Sequence, residues 1–468
     1  VLKRAAFFRK KMEYTMEKWM VAAKKADFQK LAAEFGIDPV TARLIRNRDI
    51  VGEEAMREYL YGDLTWLHDP HLLKDMDKSV GILQEKIRGG KKIRVIGDYD
   101  IDGVNASYIL LTGLLRCGAL VDVDIPDRIR DGYGLNEHLI ELAAEAEVDT
   151  IITCDNGIAA VQEIAQAKAL GMTVIVTDHH EPQEVLPPAD ALINPKQPDC
   201  PYPYKSLCGA AVAFKLIQCL YEAYGINAEE WDPLLENVAF ATVGDVMDLT
   251  GENRILVKEG LKRLNHTRNE GFRALIAANG LTEGPISAYH IGFVLGPCIN
   301  ATGRLDTAKR ALKLLMASTP EQAKILAEEL KSLNDERKDM TQQGVAEAME
   351  LMESTSMKED KVLVIYLPTC HESLAGIIAG RIREKYNRPV FVLTKAEEGV
   401  KGSGRSIEAY NMFQELCKVS GLFTKFGGHP MAAGLSLPEE NVERFRKEIN
   451  EAAELTEDDL LPKIMIDV

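Results

Sequence analysis

The stretch Ile93-Arg94-Val95-Ile96-Gly97-Asp98-Tyr99-Asp100-Ile101-Asp102-Gly103 decides the fold. Its short apolar run reads as a parallel strand buried on both faces, because it shows little alternation of polar with apolar residues. Three aspartates at alternate positions close the run, and Val104-Asn105-Ala106-Ser107-Tyr108-Ile109-Leu110-Leu111 then reads as a helix. Carboxylates gathered at the end of a strand repel one another, and burying each of them unpaired costs several kcal/mol. Bound cations explain the grouping best. The D-x-D-x-D-G spacing is also half of an EF-hand calcium loop, which follows a helix and ends in a bidentate Glu at its twelfth position. Here a strand comes first and Ile109 stands at that position. A solvated acidic turn is the alternative that this stretch alone leaves open.

Further along, Val121-Asp122-Val123-Asp124-Ile125 reads as a second strand, followed by a loop over Asp127 to Asn136 and a helix from Glu137 to Glu147. A third strand, Thr150-Ile151-Ile152-Thr153-Cys154, runs into Asp155-Asn156-Gly157. A fourth, Thr173-Val174-Ile175-Val176-Thr177, runs into Asp178-His179-His180. Strands alternating with helices specify an α/β fold with a doubly wound parallel sheet, which binds ligands beyond the carboxyl ends of its strands. Three strands thus deliver carboxylates and imidazoles to one edge, which counts strongly against the acidic-turn alternative. A helical stretch from near Leu207 includes Asp245 in apolar company, as a buried metal ligand or a helix cap. In Gly296-Pro297-Cys298-Ile299-Asn300-Ala301-Thr302-Gly303-Arg304-Leu305-Asp306, Arg304 either meets a phosphate bidentately or pairs with Asp306.

Pro320 to about Met352 has helical periodicity and a charged polar face, the pattern of a long solvated connector. A smaller α/β domain starts near Lys361, with strands Val362–Leu367 and Pro389–Leu393 around a helix from Ser373 to Tyr386. Gly402-Ser403-Gly404-Arg405-Ser406 reads as a small-residue turn carrying a cation. Phe426-Gly427-Gly428-His429 through Gly434 reads as a glycine-rich loop whose backbone N–H groups can approach an anion. Together the two point to phosphate binding.

Bulk properties narrow the classes. The 468 residues suffice for two or three domains, and 46% hydrophobic with 27% charged residues is ordinary for a soluble globular chain. No run approaches the roughly eighteen apolar residues of a membrane span. Val1 to Lys11 is basic without a long apolar segment and reads as a non-secretory extension; the missing initiator Met suggests a processed or incomplete start. None of the eight cysteines forms a C-x-x-C pair, so free thiols in a reducing cytoplasm are expected rather than structural zinc. A net charge of −16 argues against broad, non-specific duplex binding, though not against a nucleic acid in a locally basic, metal-loaded cleft. Residues before about Val80 look mostly helical, with Trp19, Leu31, Phe35, Leu60, Trp66 and Leu67 as core. The expected organisation is a helical N-terminal region (1–80), a catalytic domain (81–318), a connector helix (319–358) and a substrate-binding domain (359–468).

Asp98-Tyr99-Asp100-Ile101-Asp102-Gly103, Asp155-Asn156-Gly157, Asp178-His179-His180 and Gly244-Asp245 resemble the four motifs of the DHH phosphoesterases. Gly427-Gly428-His429 through Gly434 resembles the signature of that family's associated second domain. Asp131–Leu135, Gly251–Arg254, Gly296–Arg304 and His371–Leu393 narrow the resemblance to the family's single-strand-specific 5′ exonucleases, from roughly Trp19 to the end. Two departures stand out: Asn105 where Thr or Ser is usual, and Cys298 where Arg is usual, which implies a missing substrate contact. Those exonucleases usually carry a five-stranded OB barrel after the second domain; Leu461–Val468 reads as its approach, and a catalytic core without that clamp is expected.

The resemblance implies a metal-dependent 5′-to-3′ exonuclease that hydrolyses single-stranded DNA to mononucleotides in repair and recombination. The alternative is a DHH phosphodiesterase acting on short RNA or cyclic dinucleotides; a metal-free scaffold and a pyrophosphatase fit less of the chain. The donor set favours two Mn²⁺ or Mg²⁺ ions over zinc. Asp98, Asp100 and Asp102 would hold one or both, Asp155 would bridge them, and His179 and Asp245 would complete the second site. Asp155, His179 and His180 form the catalytic set, with His180 facing substrate and Asp178 orienting the histidines. Arg128, Arg304, Ser403, Arg405, Gly427, Gly428 and His429 would grip the 5′-terminal phosphate or the next one. Single-stranded DNA is the implied partner in the cytoplasm, with a single-strand-binding protein and a helicase as candidates and no membrane.

Overall fold

The computed structural model describes residues 17–467. The basic stretch Val1–Lys11 lies outside the described residues. Two compact units are formed, one by Gly52–Lys338 and one by the residues up to Val51 together with those from Asp339 onward.

The described chain opens with β1 (Lys18–Val21), α1 (Phe28–Phe35), α2 (Pro39–Asn47), α3 (Glu53–Tyr61) and α4 (Met76–Arg88). Asp27 and Asp38 cap α1 and α2 by accepting the N–H groups of Lys30 and Thr41. Phe35 is core, but Trp19 is 65% and Trp66 36% exposed, against expectation. β1 belongs to a two-stranded ribbon, which offers no broad sheet face to cover a ring. Leu31, Leu60 and Leu67 are half-buried.

Strands β2 (Lys92–Ile96), β3 (Leu120–Asp124), β4 (Thr150–Cys154), β5 (Thr173–Thr177) and β6 (Ala191–Ile193) form a fully parallel sheet in the order β3-β2-β4-β5-β6. Helices α5 (Ile101–Arg116), α6 (Glu137–Glu145), α7 (Val161–Ala169) and α8 (Gly209–Tyr224) cover both of its faces. Side chains alternate accordingly. Ile93, Val95, Ile152 and Ile175 pack under α4, α5 and α8, whereas Ile96, Ile151, Val174 and Val176 pack under α6 and α7.

Helices α9 (Leu235–Gly244), α10 (Gly251–Leu264), α11 (Glu270–Ala278) and α12 (Ala288–His290) follow, then a π-helical turn (Ile291–Leu295), α13 (Gly296–Leu305) and α14 (Lys309–Leu315). Phe240, Phe272, Leu295, Ile299 and Leu314 build a second core beneath the start of α5. Glu252 is a structural residue of the Gly251–Arg254 segment. It is buried, pairs with Lys215 at 3.1 Å, and accepts from the Tyr202 hydroxyl at 2.6 Å and the His68 N–H at 2.8 Å. The expected long helix is α15 (Pro320–Ser354), which starts in one unit and ends in the other.

In the other unit, β7 (Leu363–Tyr366), α16 (Ala375–Tyr386), β8 (Val390–Lys395), β9 (Val400–Arg405), α17 (Met412–Lys418), β10 (Lys425–His429), β11 (Ala432–Leu437) and α18 (Val442–Ala452) make a mixed sheet in the order β10-β11-β9-β8-β7. Two expectations are corrected here. Gly402 to Arg405 belong to strand β9 rather than a turn, with Ser406 just beyond its end, and Gly427–Gly434 is a β-hairpin rather than a loop. Glycine normally weakens a strand, but bulky neighbours fill the vacant space. A side chain at Gly402 would meet Leu393 at 2.4 Å, and one at Gly404 would meet the Met412 sulfur at 2.4 Å. Within Leu461–Val468, the expected approach to a further barrel, β12 (Lys463–Ile466) pairs in parallel with β1.

Candidate metal centre and anion seat

The parallel sheet brings the acidic motifs of its unit to one edge. Asp98 follows β2 after Gly97. Asp100 caps α5, its Oδ1 accepting from the N–H groups of Asp102 at 2.9 Å and Gly103 at 3.1 Å. Asp102, one residue into the helix, is turned inward and fully buried; its oxygens accept from the N–H groups of Gly209 at 2.6 Å and Ala210 at 2.7 Å. Asp155 ends β4 in a left-handed conformation, φ 60°, which Asp tolerates better than most residues. Asp245 is the C-cap of α9, so the two readings of that residue coincide: a cap that also faces the acidic edge.

Three overlapping groups result, each with its donor atoms within 4.8 Å of one another: Asp98–Asp100–Asp155, Asp102–His179–Asp245 and Asp155–His179–His180. His179 Nε2 lies 3.1 Å from Asp155, 3.6 Å from Asp102 and 3.8 Å from Asp245. Asp178 is turned away from the cluster and saturated. It accepts from the N–H groups of Ile158, His179 and His180, and from His180 Nδ1 at 2.8 Å.

The electrostatics follow from crowding. Burial, and then the charge of Asp100, push the Asp98 carboxyl well above its ordinary range. Burial and the charges of Asp102, Asp100 and Asp98 do the same to Asp155. Asp245 is lifted to about 8 by burial, with Asp102 and Asp100 adding to it. Burial lowers His179. It also works against the charged form of His180, yet the hydrogen bond and charge of Asp178 carry that group to about 9.

The residues present fit a pair of hard divalent cations. Asp98 Oδ1 and His179 Nδ1 are buried without a hydrogen-bond partner among the described residues, and the donor set is carboxylate oxygen with imidazole and no thiolate.

Other partners were hidden in the sequence. The Tyr133 hydroxyl donates to the Asp155 carbonyl at 3.1 Å and lies 3.2 Å from His180 Nε2. Asn300 Oδ1 accepts from the Ile101 N–H at 2.8 Å, fixing the start of α5. Both residues lie in segments singled out by motif, and neither contact is deducible from spacing. The unusual Asn105 is buried and stitches helices together: it donates to the Ile101 carbonyl, and its Oδ1 accepts from Asn237 on α9 at 2.9 Å. Cys298 is also buried, its thiol turned toward Asn279, Asn334 and the Val294 carbonyl.

The expected phosphate-gripping residues divide between the units. Arg128 stacks on Tyr99 at 3.8 Å, donates to the Gly303 carbonyl at 2.9 Å, and is close enough for its charge to act on Asp98. The Arg304 charge acts on Tyr99, while Asp306 pairs with Arg310 at 2.6 Å. In the second unit, strand register aligns Gly427 with Gly434 and Ser403, and His429 with Ala432 and Arg405. Alternation puts Ser403, Arg405, Gly427 and His429 on one face, and Gly428 on the other. Arg405 has no carboxylate partner among the described residues; it donates to the Gly404 carbonyl at 2.7 Å and to Ser403 Oγ at 3.2 Å. Burial and the neighbouring Arg383 charge hold Arg405 below its ordinary range. Arg383 was not anticipated from sequence.

This sheet, with its acidic edge and a separate mixed-sheet unit, defines a protein of the DHH class. Residues 92–242 match the DHH family N-terminal domain and residues 359–455 the DHHA1 domain. The chain is 37% identical over 434 residues to the single-stranded-DNA-specific exonuclease RecJ of Salmonella typhimurium, covering 89% of this chain and 74% of that protein. The chain belongs to the RecJ family. It is also 38% identical to RecJ of Bacillus subtilis over 442 residues, 94% of this chain but only 55% of that protein. The crystal structure of Thermus thermophilus RecJ in complex with Mn²⁺ superposes with a TM-score of 0.83 at 31% identity, covering 96% of this chain and 64% of that one.

Proposed function

We propose that this chain is a metal-dependent 5′-to-3′ exonuclease that hydrolyses single-stranded DNA to mononucleotides and serves DNA repair and recombination. The observation that carries the reading is the overlap of three carboxylate and imidazole groups on one sheet edge, with Asp155 and His179 each shared by two of them. The relatives, described as single-stranded-DNA-specific exonucleases, support the substrate class. Mn²⁺ or Mg²⁺ bound at the edge supplies the Lewis acidity that phosphodiester hydrolysis needs.

Asp98, Asp100, Asp102, Asp155, His179 and Asp245 are the proposed ligands. His180, fixed by Asp178, presents its ring to a phosphoryl oxygen. Arg128 and Arg304 meet backbone phosphates. Ser403, Arg405, Gly427 and His429 seat the 5′-terminal phosphate, with Gly428 contributing only backbone. In this reading residues 81–318 are the catalytic domain, 319–358 the connector and 359–468 the substrate-binding domain, behind the N-terminal region 1–80. No helix among the described residues is long and apolar enough to cross a membrane. A cytoplasmic site of action, alongside a single-strand-binding protein and a helicase, belongs to the same proposal.

The test is digestion of single-stranded DNA, blunt duplex, short RNA and cyclic dinucleotides with Mn²⁺, Mg²⁺ or EDTA. Metal-dependent digestion of single-stranded DNA alone is expected. Intact DNA beside cleaved short RNA or dinucleotide would overturn the reading.

A further inference from the structure

Tyr289 and Phe293 are 64% and 71% exposed, an unusual position for two large rings side by side. Their centroids are 5.1 Å apart and their planes are within 30° of one another. The pair is held in place. His290 packs edge-on against Tyr289 at 5.8 Å, and the His290 ring is pinned because its Nδ1 accepts the Ser287 N–H at 3.0 Å. Phe293 lies in the π-helical turn Ile291–Leu295, a distortion that is common at functional sites.

That turn packs on α9, the helix capped by Asp245. A side chain at Gly292, between the two rings, would touch Val243 at 3.8 Å. Beyond Asp245 the chain turns through Val246, which is 86% exposed at φ 59°, a conformation a β-branched residue adopts only under strain. The exposed rings therefore sit on a turn that packs against the helix ending at Asp245.

We infer that Tyr289 and Phe293 form a stacking platform for the bases of a single strand whose backbone lies at the acidic edge. The inference rests on the exonuclease reading and adds to it the part of the substrate that is recognised. A fixed pair of exposed, neighbouring rings on the turn packed against the Asp245 helix matches unpaired nucleotides, because every base has a π-face while paired bases in a duplex hide theirs. The platform selects single strands without selecting sequence.

The test uses the whole chain and a 5′-phosphorylated oligothymidylate, followed by fluorescence anisotropy with Ca²⁺ in place of Mn²⁺. Tyr289→Ala and Phe293→Ala are each expected to weaken binding about tenfold, whereas Tyr289→Phe and Phe293→Tyr keep it. A wild-type complex with an abasic residue stepped along the oligonucleotide is expected to lose the same affinity at one or two positions. Unchanged affinity of the alanine variants, or indifference to every abasic position, overturns the platform. So does a change of oligomeric state in the alanine variants without a change in DNA binding. If the wild type still digests single-stranded DNA in those cases, the exonuclease reading stands without the platform; if it neither binds nor digests any single strand, both fall.

Discussion

Gly209 holds Asp102: its backbone N–H, at the start of α8, donates to the Asp102 Oδ2 at 2.6 Å. The same glycine makes room for the next strand's carboxylate, since a side chain there would lie 2.7 Å from Asp155 Cβ and 2.9 Å from its Cα. One residue thus seats two of the proposed ligands, one on α5 and one at the end of β4, through a donor and through an absence.

Gly209→Ala is therefore expected to push Asp155 out of place. Overpacking of this kind costs about 1–3 kcal/mol, a fall of several degrees in Tm, and metal affinity should fall with it. Calorimetric titration of Mn²⁺ checks the point: wild-type affinity in the alanine variant would show that the close approach does not position Asp155.

Asp155 belongs to two of the three donor groups, so Asp155→Ala should abolish hydrolysis because both groups lose an oxygen. Asp178→Asn should act differently, slowing turnover by about 10–100-fold through disordered histidines. Single-turnover digestion with Mn²⁺ separates the two. Near-normal turnover by Asp155→Ala would remove Asp155 from its shared role.

Arg405 is a half-buried cation whose hydrogen-bond partners in its own strand are neutral. Arg405→Ala should chiefly raise KM and erase the preference for a 5′-phosphorylated end over a 5′-hydroxyl end, with kcat on a saturating substrate nearly kept. Competition between the two kinds of end measures this. Undiminished discrimination would take Arg405 out of the phosphate seat.

Glu236, on α9, gives a pH prediction away from the proposed metal ligands. Burial lifts its carboxyl from an ordinary 4.5 to about 7, against a hydrogen bond from Thr267. The folded protein then holds a proton that the unfolded chain has released, so stability is lost as pH rises from about 4.5 to about 7 and the deficit persists above. Its size is about 3 kcal/mol. Glu236→Gln should be more stable than wild type at pH 8 and lose that advantage toward pH 5. Urea midpoints at the two pH values check it; a difference that does not change with pH would contradict the account.

Much of the parallel sheet was legible because β4 and β5 are mostly β-branched runs ending in acidic motifs, and β2 sets Ile93, Val95 and Ile96 ahead of Asp98. β6 has only three residues and gives no periodic signal. β9 and β10 were misread because glycine usually marks a turn; only the neighbouring Leu393, Phe391, Met412 and Leu435 explain why it fits a strand at β9. The grouping of Asp98, Asp100, Asp102, Asp155 and His179 was readable from strand ends, and Asp245 from its apolar company in a helical stretch. Their supports were not, since Tyr133 to Asp155 and Gly209 to Asp102 are contacts between distant segments. Asn105, a departure from the family pattern, finds its reason in Asn237, 132 residues away.

Polarity of digestion tests the central claim most directly. Single-stranded DNA labelled at the 5′ or the 3′ end should be incubated with Mn²⁺ and sampled at early times. Immediate release of a labelled mononucleotide from the 5′-labelled strand, while the 3′ label stays on a shortening ladder, is the expected result. Mononucleotide released first from the 3′ label, or internal cuts from either, would contradict a 5′ exonuclease.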